Sequence, residues 1–432
     1  MKRLLERTFL LEENQTTVKT EILAGLTTFS TMIYIIFVNP RILSEAGMDY
    51  GAVMVATIIA TFLASLYMGV KANYPFALAP GMGLNAYFTY GIVIGEGHSW
   101  EVALGACFIA GLVFLLLNVT GIRENIMNAI PTDLRLGTAG GIGLFLAFIG
   151  FKSISLVVPD EKTLLTLGNV TNPEILFAGL GIVLITALMA INVRGAIFIC
   201  TMVLWALGLL LGYIEWQGLF SLPPNPLPTL LKLDILGALD LYMLPVILSF
   251  IFVAIFDTAG TLLGLAQHGK FLTPEGKIPR TRKALNADAI GTIAGSVLGT
   301  APFTTYLESA TGISAGGRTG LTATTVAILF LLTLFIAPLA SSVPPFATAP
   351  ALIVIGALMV KQTSQIDWED MTEFVPGFIT LITIPMTFSI ATGVALGFVT
   401  YPIIKLLSGK VKETNWIVWV IASLFCTKFI FP

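Results

Sequence analysis

Apolar runs recur along the chain near 20–42, 52–70, 75–92, 100–121, 133–151, 173–192 and 196–214. They recur again near 240–267, 284–299, 302–316, 319–340, 345–361, 374–389 and 390–408. A membrane-crossing helix needs about 20 mostly apolar residues, and most of these runs approach that length. The pattern predicts an all-α polytopic membrane protein of about 14 spans, in two sets of seven. The longest polar or proline-rich connection, residues 215–240 with Pro223, Pro224, Pro226 and Pro228, separates the sets. A last apolar run, 416–432, follows Trp416 and contains Trp419. It fits either a span or a helix lying along the interface.

Two runs are broken. Residues 299–312 lie among spans yet hold a carboxylate, Glu308, with four Thr, one Ser and Pro302. Proline removes a backbone donor and fixes φ, so a smooth helix through this point is not expected. The threonines favour an extended start, after which 307–315 is predicted to run helical, with Glu308 in the first turn of a half-helix beginning near Thr305. Backbone freed inside a membrane needs surrounding protein or a watery cavity. The counterpart is Ala79-Pro80-Gly81-Met82-Gly83-Leu84-Asn85-Ala86, third in its set as 300–316 is third in the other. Broken segments at matching positions of two halves point to a midplane site in a carrier. Seven spans per half implies halves of opposite orientation, an inverted repeat.

A third polar feature is Phe256-Asp257-Thr258-Ala259-Gly260-Thr261-Leu262-Leu263-Gly264, deep in the eighth run. An unpaired charge there costs several kcal/mol, so Asp257 is expected to face the bundle interior and meet water, a partner or a ligand. Asp257, Gly260, Thr261 and Gly264 share one helical face, a small and polar stripe beside which a flat ligand fits.

Composition agrees with the membrane reading, since 56% of the 432 residues are hydrophobic and 11% charged, against about 25% charged in soluble chains. Positive charge gives the orientation. With the N-terminus cytoplasmic, eighteen of the 23 Lys and Arg fall inside, while Arg41, Lys152, Lys162 and Lys232 fall outside and Lys428 lies in the tail. The first residues, with no short apolar stretch after the early basic positions, are not expected to form a cleavable leader. Cys107, Cys200 and Cys426 stand singly in apolar segments, so neither a metal site nor a disulfide framework is expected.

The three segments, Ala79 to Ala86, Phe256 to Thr261 and Thr304-Thr305-Tyr306-Leu307-Glu308-Ser309-Ala310-Thr311-Gly312, resemble the signature segments of the AzgA-like purine permeases. These form a branch of the nucleobase–ascorbate transporter superfamily, and the resemblance runs over about residues 9–409. It implies a 7+7 inverted repeat with short strands in spans 3 and 10. It also implies a core domain (1–121 and 240–340), a gate domain (122–214 and 341–432) and an extracellular linker (215–239). The implied activity is proton-coupled uptake of hypoxanthine, guanine or adenine across the plasma membrane. Asn85, Asp257 and Glu308 would line the site, and either carboxylate could carry the proton. A His one turn after the span-eight carboxylate, frequent in uracil- and xanthine-type relatives, is replaced by Thr261.

The chemistry is consistent on its own terms. A purine offers ring N–H donors and ring-nitrogen acceptors, which a carboxylate and an Asn amide can pair. Thr261 and Thr305 add hydroxyls, while Phe303, Tyr306, Tyr87 and Phe88 are the nearby aromatics. No cofactor is expected. The expected partners are a purine base, protons and membrane lipid, not nucleic acid, and a homodimer is the assembly to test. Gly81 to Ala86 matches GxGxxA in letters, and Gly264 to Lys270 matches part of a phosphate loop, but both lack the required context. His98 and His268 are assigned to loops, and Asn286 and Asp288 to a structural role. Two other classes are an anion transporter or channel of related fold, and a membrane-embedded enzyme. The first calls for a positive site; for the second, no nucleophile motif or metal cluster is found.

Overall fold

The computed structural model describes residues 2–273 and 277–430. Helix α1 (Val18–Met32) starts where the Thr17 hydroxyl accepts from Thr20 N at 3.2 Å. It breaks at Ile33 and Tyr34 and continues as α2 (Ile35–Glu45). Asp49 caps α3 (Tyr50–Tyr67) by accepting from Ala52 N at 2.8 Å. Strand β1 (Leu78–Pro80) and α4 (Met82–Ala86) follow, and the chain then winds as a π-helix over Tyr87–Gly95. Helix α5 (Trp100–Thr120) stops at Gly121, whose φ of 76° suits glycine, and the short α6 (Ile122–Ala129) leads to α7 (Thr132–Ser153). A hairpin of β2 (Val157–Asp160) and β3 (Leu164–Leu167), not foreseen from the apolar pattern, precedes α8 (Pro173–Ala190) and α9 (Ala196–Leu210).

After the proline-rich connection come α10 (Leu244–His268), α11 (Thr281–Leu298), β4 (Phe303–Thr305) and α12 (Ser309–Ser314). Helices α13 (Gly320–Leu332), α14 (Pro345–Val360), α15 (Met371–Thr387), α16 (Ile390–Leu407) and α17 (Trp416–Ile430) complete the chain. Each of the apolar runs lands on a helix or a strand–helix pair. Among the described residues, nine helices are long and apolar enough to cross a membrane, and Ala196–Leu210 and Met371–Thr387 are shorter apolar helices.

The two broken segments meet. Strands β1 and β4 pair antiparallel, with Leu78 opposite Thr305, Ala79 opposite Thr304 and Pro80 opposite Phe303. Gly81 N donates to Pro302 O at 2.9 Å and Tyr306 N to Ala77 O at 3.0 Å, which extends the pairing at both ends. Neighbouring side chains satisfy what the strands leave open. Leu78 N donates to Ser65 Oγ at 3.0 Å, Phe303 N to Thr292 Oγ1 at 3.0 Å and Ala77 N to Ser309 Oγ at 3.0 Å. This pairing keeps Thr305 extended, so the half-helix begins at Ser309, later than the sequence suggests. Glu308 occupies its N-cap position rather than its first turn. His268 likewise proves to be the last residue of α10 and not part of a loop.

Packing divides the helices into two groups. One contains α1 to α5, α10 to α13 and the β1–β4 pair; the other contains α7 to α9 and α14 to α16. Small residues set the closest approaches. A Cβ on Gly143 of α7 or Gly356 of α14 would collide with the other's carbonyl oxygen, and Gly69 and Gly320 are apposed in the same way in the first group. Gly143→Val is expected to lower stability by about 1–3 kcal/mol through overpacking. Gly179→Val, at a glycine with open space around its Cβ, should be near neutral. Thermal unfolding in detergent, followed by fluorescence, checks the contrast.

Candidate functional site

A cavity of about 590 Å³ lies between the two groups, against the β1–β4 pair. Helix α10 contributes Asp257 and Thr261, one turn apart on the same face. Gly260 and Gly264 beside them leave open space where a Cβ would stand. The β4–α12 segment contributes Thr304, Thr305, Tyr306 and Glu308. The opposite wall comes from the second group, with Ile355 and Met359 on α14 and the segment Asn192-Val193-Arg194-Gly195 before α9.

The polar groups are held in place. Tyr34, at the break between α1 and α2, donates its hydroxyl to Glu308 Oε1 at 2.7 Å. Thr311 Oγ1 donates to the Glu308 carbonyl at 2.7 Å and lies 3.2 Å from Thr31 Oγ1. The Tyr306 hydroxyl donates to Pro80 O at 2.6 Å, which fixes that ring against the strand pair. The Thr304 hydroxyl is the polar neighbour of Asp257. Two carboxylates therefore face one cavity, and the cation on its lining is Arg194, which is exposed at the rim. Such a cavity pairs best with a ligand that donates N–H groups.

Of the residues singled out in the sequence, Asp257, Thr261, Thr305, Tyr306 and Glu308 share this cavity. Asn85 and Phe303 are fully buried outside its lining. Asn85 Nδ2 donates to Asn39 Oδ1 at 3.0 Å, and Asn39 Nδ2 donates to Thr57 and Thr300 hydroxyls at 2.7 and 2.8 Å. Its helix mates Met82 and Gly83 reach the cavity instead. The Phe303 ring packs against Gly291 and Gly295 of α11. Tyr34, Thr31 and the Asn192–Gly195 segment were not anticipated. The polar cluster Thr27-Thr28-Phe29-Ser30-Thr31 inside the first apolar run was the available signal for the first two.

Behind the cavity, Asp288 of α11 joins the elements that carry the two carboxylates. Its Oδ2 accepts from Thr258 Oγ1 at 2.7 Å, next to Asp257, and its Oδ1 accepts from Thr305 Oγ1 at 3.2 Å. The Arg123 guanidinium, fully buried on α6, reaches the same carboxylate at 3.3 Å and donates to Leu285 O at 3.2 Å. Phe114 lies under it, 4.7 Å from ring centroid to guanidinium carbon.

Comparison with known proteins agrees with this architecture. The permease family model matches residues 19–396. The chain is 42% identical to the adenine permease AdeP of Escherichia coli, over 99% of this chain and 96% of that one. It is 43% identical to the guanine/hypoxanthine permease PbuO of Bacillus subtilis, over 96% of this chain and 98% of that one. The transmembrane domain of a cyanobacterial bicarbonate transporter, BicA, superposes with a TM-score of 0.64 at 13% identity, covering 88% of this chain and 97% of that one. That likeness is one of fold. The chain belongs to the permease family, within the nucleobase–ascorbate transporters, and is a carrier rather than an enzyme.

Removing one partner of a buried ion pair strands the other charge, at a cost of about 3–5 kcal/mol. Arg123→Met is therefore expected to destabilise the protein more than the double substitution Arg123→Met with Asp288→Asn. Detergent melting curves of the two variants decide this.

Proposed function

We propose that the chain takes up purine nucleobases, hypoxanthine, guanine or adenine, across the plasma membrane in symport with protons. The observation that carries this reading is the convergence of Asp257, Glu308, Thr305 and Tyr306 on one cavity beside a strand pair made from both broken segments. A carboxylate accepts a pair of ring N–H bonds, threonine hydroxyls adapt to donors or acceptors, and the Tyr306 ring offers a flat face. Full-length relatives bearing the names adenine permease and guanine/hypoxanthine permease support the same substrate class. Asn85 acts on the base indirectly in this scheme, by holding α4 and its Met82 and Gly83 against the cavity. A bicarbonate-type permeant, suggested by the fold alone, would meet two carboxylates of its own sign.

The halves 1–214 and 240–432 work as inverted repeats, with the cytoplasmic N-terminus that the Lys and Arg distribution favours. The first helix group is then the core that holds the base and the second the gate against which it moves. On this orientation the rim residues Arg194 and Ser314 lie on the cytoplasmic side, so the cavity opens inward. Glu308 takes a proton from outside as the base loads and releases it with the base inside.

Radiolabelled hypoxanthine, guanine and adenine uptake, in cells lacking their own purine carriers, tests the substrate. Absence of saturable uptake of all three would refute the reading. Asp257→Ala should abolish base binding in the purified carrier while leaving its membrane insertion unchanged.

Glu308→Gln is the test of coupling. The amide mimics the protonated acid, so the variant should bind and exchange base with little pH dependence. It should lose accumulation driven by an imposed proton gradient, whereas the wild type should accumulate more as external pH falls. Retained accumulation in that variant would move the proton to another group, Asp257 first.

A further inference from the structure

We propose that a second cavity, at the opposite end of the interface between the two helix groups, is the outer vestibule of the same pathway and an entry subsite for the planar, hydrogen-bonding base. This rests on the permeant and orientation argued above. The cavity measures about 230 Å³ and is lined from both groups. Val38, Arg41 and Glu45 of α2, together with Tyr90, form one wall, while Lys152 of α7 and Thr348 of α14 belong to the other.

Its position is set by helical spacing. Tyr34 lines the wide cavity and Val38 the second, four residues further on; on α14, Ile355 lines the wide cavity and Leu352 the second, three residues back. One helical turn rises about 5.4 Å. The two spaces thus stack end to end, separated by a plug about one turn thick, in which Tyr34, Val38, Leu352 and Ile355 are all buried. The mouth lies where Arg41, Glu45 and Lys152 are exposed. Arg41 and Lys152 are two of the four body cations that the charge pattern places outside.

The lining has the chemistry of a polar heterocycle site. Arg41 and Lys152 supply donors for ring nitrogens or an exocyclic carbonyl, and Glu45 supplies an acceptor for a ring N–H. The Lys152 ammonium lies 5.6 Å from the ring centroid of Tyr90, on the first group, and 5.6 Å from that of Phe388, on the second. Lys152 therefore touches both groups at the point where they must part for the pathway to open outward. A base bound here competes with Tyr90 for that ammonium, which links capture to opening.

The test uses the full chain in oriented membrane vesicles, with Cys426→Ser as background. The S153C variant, in the second cavity, should react with a membrane-impermeant thiol reagent from the outer face only, and the S314C variant, at the rim of the wide cavity, from the inner face only. External adenine or hypoxanthine should slow labelling of S153C several-fold. Lys152→Gln should raise the half-saturation concentration for uptake about tenfold, the equivalent of about 1.4 kcal/mol, and move that for efflux from the inner face less than twofold. Labelling of both cysteines from the same face, no labelling of S153C in a variant that still transports, or equal kinetic change on both faces would overturn the proposal. The labelling needs no base. Opposite-face labelling in a chain that takes up no purine therefore rejects the permeant and leaves the pathway geometry standing. Missing protection in a chain that does take up purine rejects the subsite.

Discussion

The structure depends on six residues of β-pairing. Strands in the interior of a helical membrane protein carry backbone N–H and C=O groups that lipid cannot satisfy, and each left bare costs several kcal/mol. Here Leu78–Pro80 and Phe303–Thr305 satisfy one another, and Ser65, Thr292 and Ser309 supply the remaining partners from three surrounding elements. Because those hydroxyls sit on α3, α11 and α12, the pair is clamped from several sides. It becomes a fixed floor on which a ligand site can be built. The prolines Pro80 and Pro302 belong to this floor for the same reason: neither needs a donor there.

The floor also explains how two carboxylates can be held towards one cavity. Glu308 is held by the Tyr34 hydroxyl, and the Asp257 segment is tied through Thr258 and Asp288 to Thr305 on the strand. The Arg123 guanidinium pairs with a third carboxylate, Asp288, behind the wall. The same network passes from β4 through α11 to α6, the short helix that connects the first helix group to the second.

Much of this was legible in the sequence, for identifiable reasons. A proline followed by polar residues within a short apolar run announces broken backbone, and its recurrence at matching positions located both strands. Asp257 and Glu308 stood out because charge is rare in such surroundings. The exact start of α12 was not legible, since helix propensity over 307–315 competes with a strand pairing whose partner lies more than two hundred residues away. Asn85 looked like a site residue because it has the right chemistry at the right offset from Pro80. Only the side-chain direction on α4 shows that it turns towards Asn39. Tyr34 was hidden in a run that reads as one uninterrupted span, and the loop before α9 has no distinguishing composition.

The pairing of β1 with β4 also constrains how the protein is made. Leu78 leaves the ribosome 227 residues before its partner Thr305. At about 5–20 residues per second, that interval is roughly 10–45 s. During it, the first broken segment sits in or beside the membrane without its cross-strand partners. An early-synthesised half thus cannot complete its own binding floor. Either the segment waits in a hydrated or chaperoned environment, or it enters the bilayer late, together with the tenth run. Membrane insertion of this carrier is in that sense a long-range folding event rather than a sequence of independent helix insertions.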